Sequence, residues 1–244
     1  MFQPTGTTMD MHLHTVRGAS DSMLQPEELI EEAHRAGLTG VNLSEHDRVW
    51  DRFELDRFRA AHPELVIAQG MEVSTDLGHI IVVGLPGYVS GIRRAEELRR
   101  VINDCGGYMV AAHPFRHHFD PAHFRRSGLP PFDLSPEQAA ELPVCRLVDD
   151  LEVTNGCNTM KENWFALQVA RIMGKPGFGG SDAHSRTGIG SCAIMYQKHL
   201  TSADEILPEL HAGRYQPVQG LNVNLPRLFY DAAAEYEAGV TTTA

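Results

Sequence analysis

Residues Met9–Thr15 read MDMHLHT, and after a loop residues 26–37 read PEELIEEAHRAG. In the first stretch an extended chain puts His12 and His14 on one side and Leu13 on the other, because strand side chains alternate. In the second, Pro26 sits in a first helical turn and Gly37 marks the end, so the segment predicts a helix. Strand then helix is the repeating unit of an α/β fold, and the pattern continues outward. Gly40–Ser44 (GVNLS) predicts a strand, Asp47–His62 a helix, Leu65–Ala68 and Ile80–Leu85 strands, and Ile92–Asp104 a helix closed by Gly106-Gly107. Tyr108–Ala112 and Asp150–Thr154 follow as strands, Thr159–Met173 as a helix, Gly177–Ser181 and Ser191–Tyr196 as strands, and Ala203–Ala212 as a helix. A last helix is expected over Leu228–Ala238, with a frayed end in GVTTTA. Repeated β-α units predict a mainly parallel sheet, and a barrel gathers ligand candidates from many strand ends on one face.

The 244 residues suit one α/β barrel, so a single domain over residues 1–244 is expected. Residues 115–146 break the rhythm with five prolines and three histidines, His117, His118 and His123, and predict an inserted loop or lid. With 42% hydrophobic and 22% charged residues the composition is that of an ordinary globular protein. No apolar run approaches the ~20 residues of a spanning helix. Met1–Met9 lacks the basic start and apolar core of a signal peptide, so a cytoplasmic location is expected. Cys105, Cys145, Cys157 and Cys192 show no paired spacing and are expected to be reduced and buried. A net charge of −11 argues against a broad nucleic-acid face but leaves room for a narrow positive pocket.

Histidine is where the sequence departs from the ordinary. There are 13, and several share short motifs with acidic residues. His46 lies in SEHD, Glu72 in GMEVS, His79 in GHI, His113 in AAHP, Glu152 in LEVTNG, and Asp182 and His184 in GSDAH. Asp182 and His184 repeat the spacing of His12 and His14. Mixed nitrogen and oxygen donors without thiolate suit zinc, manganese or iron.

Taken in order, these motifs resemble the PHP family, named for its polymerase and histidinol phosphatase members. The resemblance runs from about Met9 to Gly190. It comprises D-x-H-x-H at Asp10–His14, Ser20-Asp21, PEEL at Pro26–Leu29, Gly37-Leu38, Glu45-His46-Asp47, G-x-E at Gly70–Glu72, His113-Pro114, E-V-x-N-G at Glu152–Gly156 and G-S-D-A-H at Gly180–His184. It implies a distorted (β/α)7 barrel of the PHP type with two to three divalent metal ions. By motif, His12, His14, Glu72 and Asp182 hold one ion, and Asp21, His46 and His184 a second. Glu72 bridges, and His79 and His113 complete a third site. The sequence departs at Glu45, where the family usually has Asp.

The expected reaction is hydrolysis of a phosphate ester by a metal-bridging hydroxide, with Glu72 and Asp182 as the catalytic carboxylates. The expected partner is a small phosphomonoester, a nucleotide or a short nucleic-acid end. Arginine outnumbers lysine by 18 to 3, and Arg17, Arg48, Arg116 and Arg186 each follow a candidate ligand histidine closely. Planar guanidinium groups suit phosphate, so these four are expected to bind substrate. Two alternatives share the scaffold: cleavage of an amide or carboxylic ester on the same metals, and a non-catalytic module. The sequence does not set the oligomeric state.

Overall fold

A computed structural model describes residues 5–128 and 130–239. Met1–Pro4 and the end of the tail, residues 240–244, lie outside the described residues, as does the expected fraying there. The chain begins with β1 (Thr8–Leu13), α1 (Pro26–Arg35), β2 (Gly40–Leu43) and α2 (Arg52–Ala61). Next come β3 (Val66–Thr75), β4 (Gly78–Val83), α3 (Ala95–Cys105) and β5 (Tyr108–Ala111). The 115–146 insertion carries three short helices, α4 (Pro121–Ser127), α5 (Pro136–Ala140) and α6 (Pro143–Leu147). Then follow β6 (Asp150–Asn155), α7 (Met160–Ile172), β7 (Phe178–Gly180), β8 (Cys192–Tyr196), α8 (Ile206–His211), β9 (Tyr215–Gln219), β10 (Arg227–Leu228) and α9 (Phe229–Glu237).

All ten strands join one curled, barrel-like sheet in the order β10-β9-β8-β1-β2-β3-β4-β5-β6-β7. The expected seven-fold repeat is corrected by this order. The runs β1-β2-β3 and β5-β6-β7 are parallel, but β4 is antiparallel to both neighbours, and β8, β9 and β10 pair antiparallel. The physical reason lies in the connections. Only Asp76 and Leu77 separate β3 from β4, with Gly78 at φ +102°, so the chain turns back as a hairpin instead of crossing over with a helix. Beyond β7, Asp182 N–H donates to the His12 carbonyl (2.6 Å) and His14 N–H to the Ala183 carbonyl (3.0 Å), which draws the β7 end of the sheet against β1.

One apolar cluster lies within the curl, where Met9 and Met11 of β1 meet Ile81, Tyr108, Val110, Phe178 and Tyr196. Leu13 instead packs outward with Leu29, Ile30 and Ala33 of α1. The register between β1 and β2 shifts between Asp10 and Leu13, the local irregularity that re-aims side chains at a strand end. On the opposite face, α3, α7 and α9 cover β4, β5 and β6. Among the described residues, no helix is long and apolar enough to cross a membrane. The cysteines are all free, but only Cys145 and Cys192 are buried; Cys105 and Cys157 are exposed, which corrects the expectation for those two.

Candidate metal centre

The curl brings the C-terminal ends of β1, β2, β5 and β7 to one rim. His12 and His14 come from β1 and its end, with ring centroids 5.1 Å apart. His46 follows β2, and its segment runs beside β3: Glu72 N–H donates to the Glu45 carbonyl (3.0 Å) and Asp47 N–H to the Glu72 carbonyl (2.9 Å). Glu72 belongs to the part of β3 that extends past the end of β2, so it reaches the same rim. His79 is in β4, His113 follows β5, and Asp182 and His184 follow β7. Gly180 permits this approach, since a Cβ there would come within 2.3 Å of the His12 Cβ. His113 and Asp182 sit at φ +30° and +56°, uncommon for side-chain-bearing residues and held by the surrounding bonds.

Glu72 is the hub. Its Oε1 lies 2.9 Å from His79 Nδ1 and 3.0 Å from His113 Nε2. Its Oε2 lies 3.0 Å from His46 Nδ1, 3.3 Å from His14 Nε2 and 3.4 Å from His12 Nε2. Asp182 Oδ1 is 3.3 Å from His14 Nε2 and 3.5 Å from His12 Nε2. Asp21 Oδ2 stands 3.6 Å from both His46 Nε2 and His184 Nε2. Its loop is fixed by Ser22, whose hydroxyl donates to the carbonyls of His14 (2.8 Å) and His184 (3.1 Å). All nine expected ligands therefore gather at one rim, with Asp21 the most exposed at 61%.

Three sets of donor atoms lie within 4.8 Å of one another: His12, His14 and Asp182; His14, His46 and His184; and His12, Glu72 and His113. The first lies within one motif-based group, while the other two add His14 to His46 and His184 and His12 to Glu72 and His113. The decisive test of fit is what the buried atoms lack. Among the described residues, His12 Nε2, both ring nitrogens of His14 and Glu72 Oε2 are buried without a hydrogen-bond partner. They crowd together in poor alignment for hydrogen bonds, an arrangement that costs free energy unless a cation fills it. The donors fit divalent ions.

Charge reinforces this. Burial opposes a charged Glu72, yet His12, His113 and His46 hold its carboxyl well below the usual range. Burial likewise opposes ionised Asp182, which His12, His14 and Arg116 keep far below its ordinary value. Burial pulls His14 down to about 4, leaving the neutral imidazole that a metal requires. Burial opposes charge on His12 too, but Glu152, Asp182 and Glu72 raise it well above its ordinary value.

A surrounding layer holds the donors in place. Glu152 Oε1 accepts from His12 Nδ1 (2.9 Å), and its Oε2 accepts from His113 N–H (2.7 Å) and the Asn155 amide (2.9 Å). Glu152 thus fixes the orientation of the His12 ring. Glu45 is not part of the cluster. It accepts from Thr15 N–H (3.0 Å), the Thr15 hydroxyl and Trp50 Nε1 (2.7 Å), and so anchors the turn after β1.

The four arginines separate. Arg116 donates from Nη2 to Asp182 Oδ2 (2.5 Å) and Asn155 Oδ1 (2.8 Å), and from Nε to Asn158 Oδ1 (2.9 Å). Arg17 and Arg48 line a cavity of about 390 Å³ together with Asp21 and His46. Arg186 is elsewhere, held by Glu31 (3.0 Å) and Glu32 (2.9 Å) of α1. The residues that sequence reasoning missed are Asn155 and Asn158 as the holders of Arg116; the NGCN run from Asn155 was the available signal.

No curated protein matches the chain in sequence. The PHP-associated family model matches residues 161–215, from α7 into β9, a stretch that includes Asp182 and His184. A structure from Bifidobacterium adolescentis, provisionally described as a metal-dependent phosphoesterase, has a TM-score of 0.56 at 19% identity, over 86% of this chain and 98% of its own. These two matches support a PHP-family assignment. The chain also shares its fold with PsfC from Pseudomonas syringae PB-5123, with a TM-score of 0.58 at 14% identity over 96% of this chain and 99% of that one. An amidohydrolase from Chromobacterium violaceum gives 0.49 at 20% identity, over 72% and 87%.

Proposed function

We propose that this chain is a metal-dependent hydrolase of phosphate esters of the PHP type, acting on a small phosphomonoester, a nucleotide or a short oligonucleotide end. The observation that carries the reading is the set of buried, unpartnered atoms of His12, His14 and Glu72 aimed at one another beside Asp182. Two to three divalent ions held among His12, His14, Asp21, His46, Glu72, His79, His113, Asp182 and His184 would supply Lewis acidity to a phosphoryl oxygen and an attacking water. Arg116 binds Asp182 Oδ2 and leaves Oδ1 facing the cluster, where that oxygen takes the proton of the water. Glu72, bonded through Oε1 to His79 and His113, keeps its charge at the centre of the site. Arg17 and Arg48 stand at the Asp21 side to receive the anionic portion of the substrate. Arg186 has no part in this reading, because the carboxylates of α1 occupy it.

The test is a screen of the full chain, reconstituted separately with zinc, manganese or iron, against phosphomonoesters, nucleotides, short oligonucleotides, amides and carboxylic esters. Turnover of a phosphate ester is expected, falling on the order of 10³-fold in both His12→Ala and Asp182→Ala, the scale of one electrostatic contact to the reacting group. Turnover confined to amides or carboxylic esters overturns the substrate class, and activity that survives both substitutions overturns the site.

A further inference from the structure

The insertion contributes more than cover. Phe115 and Phe165 are buried and form a floor. Phe119 and Phe132 lean on that floor, with ring centroids 4.8–5.9 Å apart across the group. Phe124, on α4, has His123 as its ring neighbour at 5.7 Å and is left half-buried. Between these rings is a cavity of about 500 Å³, lined by Phe119, Phe124, Phe132, Pro131, Lys161 and His118. The Lys161 ammonium lies 4.5 Å from the centre of the Phe119 ring at its edge. A chamber of half-exposed rings is costly to leave open to water, and its size is that of a small-molecule site.

Its position gives it a role. A second cavity, of about 250 Å³, opens on His79, His113 and Arg116, and His118 lines this one as well. His118 is fixed there, with Nδ1 3.0 Å from the Arg116 carbonyl and its ring 4.6 Å from Phe132. His118 therefore lines both the cavity beside His79 and His113 and the aromatic chamber. On the opposite flank of the cluster lies the polar cavity of Arg17 and Arg48. The two flanks differ in chemistry: one suits charge, the other a flat apolar group.

We propose that the aromatic chamber of the 115–146 insertion is a leaving-group subsite, and that it takes a flat aromatic ring carried by the alcohol of the ester. Ring edges and faces set at steep angles, together with an ammonium at the rim, select flat π-surfaces over saturated bulk. This inference rests on the phosphoesterase reading, so its test separates the two. The metal-reconstituted full chain is assayed with 2-naphthylmethyl phosphate and cyclohexylmethyl phosphate, whose alcohols are of comparable basicity. Binding of 2-naphthylmethanol and cyclohexylmethanol is followed in parallel by saturation-transfer NMR.

The expected result is a preference of about tenfold in kcat/KM for the naphthyl ester, roughly the contribution of one aromatic pair, with selective binding of its alcohol. Phe124→Ala brings that ratio towards one. Phe124→Leu, which keeps the apolar volume and guards against a folding defect, does the same. Equal turnover of the two esters, or a ratio unmoved in both variants, overturns the subsite. Naphthylmethanol binding without turnover of any phosphate ester leaves an aromatic site but overturns both the phosphoesterase reading and the leaving-group assignment. Turnover of both esters without selective binding overturns the subsite alone.

Discussion

The two ends of the curled sheet both bury charge-bearing groups, and they treat them in opposite ways. At the N-terminal ends of β5 and β6, buried Asp150 accepts from Leu151 N–H (2.8 Å), from Gly177 N–H (3.1 Å) and from the Tyr215 hydroxyl, which is in turn 2.9 Å from the Tyr108 hydroxyl. Every oxygen there has a partner. At the C-terminal ends, His12, His14 and Glu72 are equally buried, yet they present atoms without partners to one another. Burial alone does not distinguish a structural polar network from a site. Satisfaction of the hydrogen bonds separates these two groups, because an unpaired buried polar atom costs on the order of 1–3 kcal/mol. The unpartnered atoms thus lie at the end of the sheet where parallel β/α folds commonly place their sites, and the Asp150 network at the other.

Two substitutions sharpen this contrast. Glu152→Gln removes the carboxylate behind His12 Nδ1 and is expected to weaken metal affinity about 10- to 100-fold, measured by competitive chelator titration. Thermal stability without metal should fall as well, since one buried oxygen that accepts hydrogen bonds becomes a donor, so affinity is read per folded chain. If affinity is untouched, Glu152 does not orient a ligand and the two ends are less distinct than they look.

The smaller effect belongs to the other end. Tyr215→Phe removes a donor to Asp150 and is expected to lower stability by about 1 kcal/mol, or ~2–4 °C in Tm, with metal affinity unchanged. Its pH dependence has a definite sign. Burial raises Asp150 in the folded protein to about 7, so its contribution is fully present below its ordinary value of about 4 and is lost as pH rises through 7. The Tyr215 hydroxyl favours the ionised form, so the variant should lose more stability at pH 8 than at pH 5. A loss that is equal at both pH values, or a change in metal affinity, contradicts the division of labour.

What the sequence made legible were the local patterns. The β1 and α1 segments, the helix on Thr159 and the His-bearing motifs were all visible because each depends on a few neighbouring residues. The hairpin was not, because Gly70 interrupts the apolar run of β3 at the point where a Cβ would come within 2.7 Å of the Asn42 side chain and the Val82 carbonyl. Strand β9 was hidden by Pro217, which a strand tolerates only where it needs no backbone donor. Arg186 stood at the same spacing from a histidine as the other arginines, but its partners Glu31 and Glu32 are distant in sequence and adjacent only once α1 packs beside the β7 end. Long-range pairing decides such cases, and no short window of sequence contains it.

The central claim is that the unpartnered atoms at one rim are metal donors. Elemental analysis of the full chain after chelation, reconstitution and desalting tests it most directly, with His14→Ala alongside, since His14 belongs to two of the three donor sets. At least one tightly held divalent ion per wild-type chain is expected, with a clear fall in the variant. Less than one ion per wild-type chain, or the same content in His14→Ala, would contradict it.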